Sequence, residues 1–110
     1  MKLGTPIENP EESIHTCEMV LLYFGGESCN VCRDMFPKLE KMLSLYPKIK
    51  LLKAEPENLP KLAADYQVFS VPAIILWIQG KVTVREAGII SLNLLETRIA
   101  RYYHLFCENN

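Results

Sequence analysis

Cys29-Asn30-Val31-Cys32 lies between an apolar run and an amphipathic segment, and that setting decides how the chain is read. Upstream, Met19-Val20-Leu21-Leu22-Tyr23-Phe24 reads as a buried strand closed by the breaker Gly25-Gly26. Downstream, Met35, Leu39, Met42, Leu43 and Tyr46 recur at helical steps, which predicts a helix from Cys29 to Leu45. Pro37 lies inside that helix, removes one backbone hydrogen bond and predicts a kink, and Tyr46-Pro47 ends it. The junction puts Cys29 at the helix N-terminus, where unpaired N–H groups and the positive end of the dipole favour a thiolate. Cys32 falls one turn on, within disulfide reach. The pair therefore suits thiol–disulfide exchange: one sulfur attacks and the other resolves the mixed disulfide.

Two plainer readings stand beside this one. A zinc site needs a second ligand pair, and Cys17, Cys107, His15 and His104 supply none at short spacing. Alternatively, the two thiols are small hydrophobes in a core.

A chain of 110 residues, 49% hydrophobic, fits one domain over 1–110 with a real core. The net charge is −1 and the charges are interspersed, so no nucleic-acid or membrane surface is expected. The stretch from Met1 to Glu12 carries one lysine and no apolar core segment, so it does not read as a signal peptide. No apolar run approaches the ~18 residues of a membrane span. Four cysteines in such a chain are expected to be mostly reduced, which points to redox use in the cytoplasm rather than a disulfide scaffold.

Asn9-Pro10-Glu11-Glu12 starts a short helix that carries Ile14 inward and ends near Thr16 or Cys17. A strand within Lys2–Ile7 is a further expectation. Ile49–Ala54 reads as a second buried strand, Leu59–Tyr66 as a short helix and Ala73–Ile78 as a strand. Gln79-Gly80 turns the chain into a hairpin partner, Val82–Ala87. Leu92, Leu95, Ile99, Tyr102 and Phe106 form the apolar stripe of a terminal helix capped by Ser91. Strands separated by helices are expected to pair in parallel, with the final hairpin antiparallel.

With these elements in place, the chain resembles the thioredoxin family over roughly residues 8 to 106. Five landmarks fall at the family's spacing: Cys29 with Cys32; Pro37, five residues after Cys32; Pro72 in Ser70-Val71-Pro72; Gly80 at the hairpin; and Gly88 before the last helix. The resemblance implies an α/β thioredoxin fold, a mixed central sheet with helices on both faces. It also implies a cis peptide before Pro72, which packs on the disulfide and turns the Val71 N–H and C=O toward an extended substrate. An ordinary proline at a strand start is the alternative. Lys53, 19 residues before Pro72, matches a lysine the family keeps beneath the site, or is simply solvated.

Three departures bear on mechanism. Ser28 replaces the family's usual Trp, which predicts a smaller and more polar substrate surface around Cys29. Asn30-Val31 replaces the reductive Gly-Pro pair and lacks the histidine of strong oxidants. Tyr23 stands where many relatives bury an aspartate, and a phenol with a reference pKa of about 10 is a poor base at neutral pH. Glu27 acts in its place through water, or is a solvated loop acid. Cys17 and Cys107 require no redox role, and Trp77, Tyr102 and Tyr103 read as packing.

The expected activity is thiol–disulfide exchange on protein disulfides, with Cys29 as nucleophile and Cys32 as resolving thiol. The substrate lies along Val71, Pro72 and Ser28, with Lys53, Glu27 and Tyr23 in support. No dinucleotide-binding glycine motif occurs, so electrons come from a separate reductase or a low-molecular-weight thiol, and no cofactor or metal is implied. The chain is expected to act as a monomer. Two other classes stay open: a binding module with weak or specialised exchange, and a metal- or cluster-binding domain through Cys29 and Cys32.

Overall fold

A computed structural model describes residues 18–26 and 28–108, with side chains as far as Phe106. The expected elements before residue 18, together with Cys17, Glu27 and the Cys107 side chain, lie outside the described residues. The chain runs β1 (Met19–Phe24), α1 (Asn30–Leu43), β2 (Lys50–Ala54), α2 (Pro60–Asp65), β3 (Ala73–Ile78), β4 (Lys81–Ala87) and α3 (Leu92–Tyr103). A π-helical turn, His104–Glu108, follows α3.

The four strands form one mixed sheet in the order β2-β1-β3-β4. β1 pairs in parallel with β2, placing Tyr23 beside Lys53, and antiparallel with β3, placing Phe24 beside Ala73. The expectation of parallel pairing across each helix therefore holds for β1 and β2 and fails for β3. The reason is length. The six residues of α2 advance the chain only about 9 Å. That is too little to return it along a strand before β3 begins, so β3 enters from the end that β2 left.

All six residues of β1 are buried, because strand alternation sends them to two apolar layers. Met19, Leu21 and Tyr23 face α1 and α3 together with Met35, Leu39, Leu95 and Ile99. Val20, Leu22 and Phe24 face α2 together with Ala63 and Trp77. Helices thus cover both sheet faces. Trp77 meets Tyr66 edge-on with ring centroids 5.1 Å apart, a packing role. β4 is an edge strand on which only Val84 is buried, and Lys81, Arg85 and Glu86 charge it. Gln79 and Gly80 both adopt positive φ (53° and 79°), the backbone of a tight two-residue hairpin turn.

The terminal helix keeps most of its expected stripe, with Leu92 and Tyr102 packing half-buried against the core beside Leu95 and Ile99. Leu95, Ile99 and Tyr103 are buried at steps of four, and Phe106 is exposed beyond the end of the α-helix. Tyr103 is buried as well because its ring meets Tyr46 edge-on and its hydroxyl accepts the Lys48 N–H at 3.2 Å.

Candidate active site

α1 starts at Asn30, one residue later than the periodicity suggested, because Cys29 is its N-cap in extended conformation (φ −97°, ψ 107°). The Cys29 Sγ accepts the Cys32 N–H at 3.2 Å, so the sulfur occupies the position in which a capping oxygen satisfies an orphan donor. The two cysteines form a disulfide, with Cα atoms 5.2 Å apart. Cys29 is half-buried and lines an open groove, whereas Cys32 is 3% exposed and packs into the core. Arg33 bonds back to the Asn30 side chain in the first turn.

Beneath the disulfide lies Tyr23, fully buried at the end of β1. Its hydroxyl donates to the Cys32 carbonyl at 3.1 Å, tying the strand to the first turn of α1. Burial pushes its pKa up to about 12, so the phenol is protonated at neutral pH and cannot replace the buried carboxylate. Gly25 is required beside it: a Cβ there would lie 2.6 Å from the Tyr23 ring. The Phe36 ring packs against Tyr23 at 5.0 Å between centroids, and the Lys53 Nζ sits over the Phe36 ring, 4.7 Å from its centroid. This cation–π contact, together with the Tyr23–Lys53 strand register, puts Lys53 beneath the site. A cleft of about 310 Å³ connects Cys32, Phe36 and Lys53.

On the outer side, the Val71–Pro72 peptide is cis. Pro72 is buried, and its carbonyl accepts the Gly88 N–H at 2.9 Å, which ties this loop to the end of β4. The Val71 N–H and C=O have no hydrogen-bond partner among the described residues. Ser28, Cys29, Glu57, Phe69 and Val71 line a groove of about 240 Å³. Phe69 is 87% exposed, so the surface around Cys29 is not the more polar one that Ser28 led us to expect. The aromatic ring comes from the loop before Pro72. Among the described residues, no cluster of three His, Cys, Asp or Glu side chains is placed to hold a metal ion.

The Thioredoxin family profile matches residues 6–101, most of the chain and both cysteines. The chain belongs to the thioredoxin family. It is 30% identical to a thioredoxin-like protein, YdfQ, of Bacillus subtilis, covering 87% of this chain and 86% of that one. It is 32% identical to the thioredoxin of Chlamydia trachomatis, covering 86% and 92%. Among solved structures, thioredoxin 1 of Thermosipho africanus superimposes with a TM-score of 0.75 at 25% identity, covering 83% of this chain and 99% of that one. A thioredoxin mutant from Halobacterium salinarum gives 0.77 at 22% identity, covering 92% and 88%. The fold is the thioredoxin fold, and the Cys29–Cys32 pair makes the chain a thiol–disulfide oxidoreductase of this family.

Of the residues singled out by sequence, Ser28, Cys29 and Val71 meet at the outer groove, while Tyr23, Cys32 and Lys53 meet at the inner cleft. Three contributors went unread. Phe36 is four residues after Cys32, a helical step that could have flagged it as the next turn's inward neighbour. Phe69 stands just before Ser70-Val71-Pro72, an apolar ring in a loop with no periodic reason to be there. Glu57 gave no local signal.

Proposed function

We propose that this protein reduces polypeptide disulfides, with Cys29 as the nucleophile and Cys32 as the resolving thiol. The observation that carries the assignment is the unequal burial of the two sulfurs: Cys29 lines the groove, and Cys32 is enclosed. The Cys29 thiolate attacks one substrate sulfur, forms a mixed disulfide and expels the other sulfur as a thiolate. The Cys32 thiolate then attacks the Cys29 Sγ, releasing the second substrate thiolate and leaving the Cys29–Cys32 disulfide. The substrate gains two electrons, and the protein regains them from a separate reductase or a low-molecular-weight thiol. Cys29 is the sulfur favoured as a thiolate, because the N–H groups at the helix start face it and not Cys32.

The Val71 N–H and C=O, without a partner among the described residues, are suited to holding an extended substrate as an added strand. Lys53 supports the site from below through Phe36, and Tyr23 holds the Cys32 backbone. Glu27 precedes Ser28 in sequence and is proposed as a water-mediated base for Cys32. We read residues 1–110 as one thioredoxin-like domain that acts as a monomer in a reducing, cytoplasmic setting; the near-full-length family match supports the first point. No described helix is long and apolar enough to cross a membrane.

The test is insulin reduction driven by dithiothreitol, combined with alkylation rate against pH. The expected result is catalysed precipitation of insulin and one reactive thiol, lost in Cys29→Ser and retained in Cys32→Ser. No acceleration over dithiothreitol alone would favour a binding module with residual exchange, a reading motivated by the lack of a carboxylate at position 23. Loss of the reactive thiol in Cys32→Ser would reverse the roles.

A further inference from the structure

The loop that carries Phe69 is pinned on both sides. The Val68 side chain is buried and its N–H donates to the Ala63 carbonyl at 2.8 Å; the Gln67 carbonyl accepts from the Arg85 Nη2 at 2.6 Å; Pro72 is held by Gly88. Between these anchors Phe69 stands 87% exposed, on the wall of the groove that also contains Cys29. An isolated exposed phenylalanine on a surface calls for no explanation. One on an anchored loop, in a groove shared with the reacting sulfur and lined also by the small side chain of Ser28, is a recognition element. Glu57 adds direction: it is the only charged residue among the described residues lining the groove, and no described cation pairs with it.

We propose that this groove selects polypeptide disulfides in which the attacked cysteine is flanked, within one or two residues, by an aromatic side chain and a lysine or arginine. The inference rests on the disulfide-reducing reading above. The aromatic ring packs on Phe69, where offset or edge-on contact adds to the burial of apolar area. The cation approaches the Glu57 carboxylate. Glutathione disulfide is disfavoured in this groove, because it brings net negative charge toward Glu57 and offers no ring to Phe69. The low-molecular-weight thiol disulfide is therefore a poor substrate, and the chemistry of the groove points to peptide segments.

Three synthetic peptide disulfides, identical except for Phe with Lys, Ala with Lys, or Phe with Glu beside the cysteine, test this against glutathione disulfide. The readout is kcat/KM for the wild type, Phe69→Ala, Phe69→Leu and Glu57→Gln. The wild type is expected to prefer Phe over Ala about tenfold. That ratio should fall to about one in Phe69→Ala and be intermediate in Phe69→Leu. The Lys-over-Glu preference should be a few-fold, weaken in added salt and vanish in Glu57→Gln. Equal Phe/Ala ratios in wild type and Phe69→Ala overturn the proposal, as does glutathione disulfide turning over as fast as the Phe/Lys peptide. Hydroxyethyl disulfide, small and uncharged, separates the two layers of argument. If the wild type reduces it and all the peptides indifferently, the groove proposal alone fails. If it reduces no disulfide at all, the reductase reading fails and takes the groove proposal with it.

Discussion

Cys29 and Cys32 are separated by three positions, yet they face unlike surroundings. Outside, Cys29 borders a groove whose walls are side chains from loops: Ser28, Glu57, Phe69 and Val71. Inside, Cys32 rests on elements of the sheet and of α1: Tyr23, Phe36 and Lys53. The outer wall is freer to vary, because Val71 packs on the core but Ser28, Glu57 and Phe69 do not belong to it. The inner floor is not free, because each of its groups also packs or ties the fold together. A helix start makes this division possible, since one turn carries the chain from solvent into the core.

The most severe way to break the comparison is to remove the inner sulfur. Cys32→Ser should stop multiple turnover of insulin and accumulate a stable Cys29-linked mixed disulfide, visible by mass spectrometry under non-reducing conditions. Free release of substrate from that variant would mean that another thiol resolves the intermediate.

Next in size is a change that attacks the inner floor sterically. Gly25→Ala drives a methyl into the Tyr23 ring, which is fully buried and cannot move aside. Overpacking of this kind should cost about 1–3 kcal/mol in urea unfolding. A variant as stable as the wild type would show that β1 and the first turn of α1 can separate without penalty.

The third change sharpens the chemical side. Tyr23→Asp should speed release of a Cys29-linked peptide near pH 7. The ceiling is about 30-fold, because a free thiol with a pKa of about 8.5 is only ~3% ionised at pH 7. The same variant should lose stability, since a carboxylate is buried with Lys53 as the only nearby partner we can identify among the described residues. Single-turnover release against pH measures this. Identical profiles for the two proteins would indicate that Glu27 or another group already accepts the Cys32 proton.

The smallest effect concerns the tyrosine hydroxyl alone. The native pKa of about 12 lies above the unfolded value of 10.0, so the neutral phenol is favoured by folding. Its contribution is complete below pH 10 and is lost between about 10 and 12 as pH rises. Tyr23→Phe should lose about 1 kcal/mol near neutrality with the hydrogen bond to Cys32. It should also lose less stability than the wild type across that alkaline window. Denaturant melts of both proteins at neutral and alkaline pH report the difference, and coincident stabilities at every pH would mean that the hydroxyl contributes nothing.

The same inner–outer division explains what could be read from sequence. Most of the inner floor was legible: β1 announced itself as an unbroken apolar run, and the family resemblance marked Tyr23 and Lys53 by their distances from Cys29 and Pro72, while Phe36 went unread. The fold followed from the family resemblance, whose cysteines, prolines and glycines recur here at the family's spacing. Its one topological error, the direction of β3, came from treating a six-residue helix as a full crossover. The outer wall was legible only in part: Ser28 and Val71 were named, Phe69 and Glu57 were not. Phe69 and Glu57 come from two separate loops and meet Cys29 only once the sheet is assembled, so neither carries a local pattern that predicts their meeting. Tyr103 was left out of the stripe for a related reason: Tyr102 does pack half-buried on the core, and a contact with Tyr46, distant in the chain, buries Tyr103 as well.

The central strand also carries a liability during synthesis. Met19–Phe24 holds no charge and no proline, and it is the kind of short, β-prone segment that self-associates when exposed. Its partners on either side begin only at Lys50 and Ala73, so a nascent chain displays this segment, with both thiols just behind it, well before either neighbour has been translated. The charged side chains of the described sheet lie on its edge strands, β2 and β4, and both emerge after β1. Aggregation during expression should therefore respond to substitutions in β1 more than to any change around the groove.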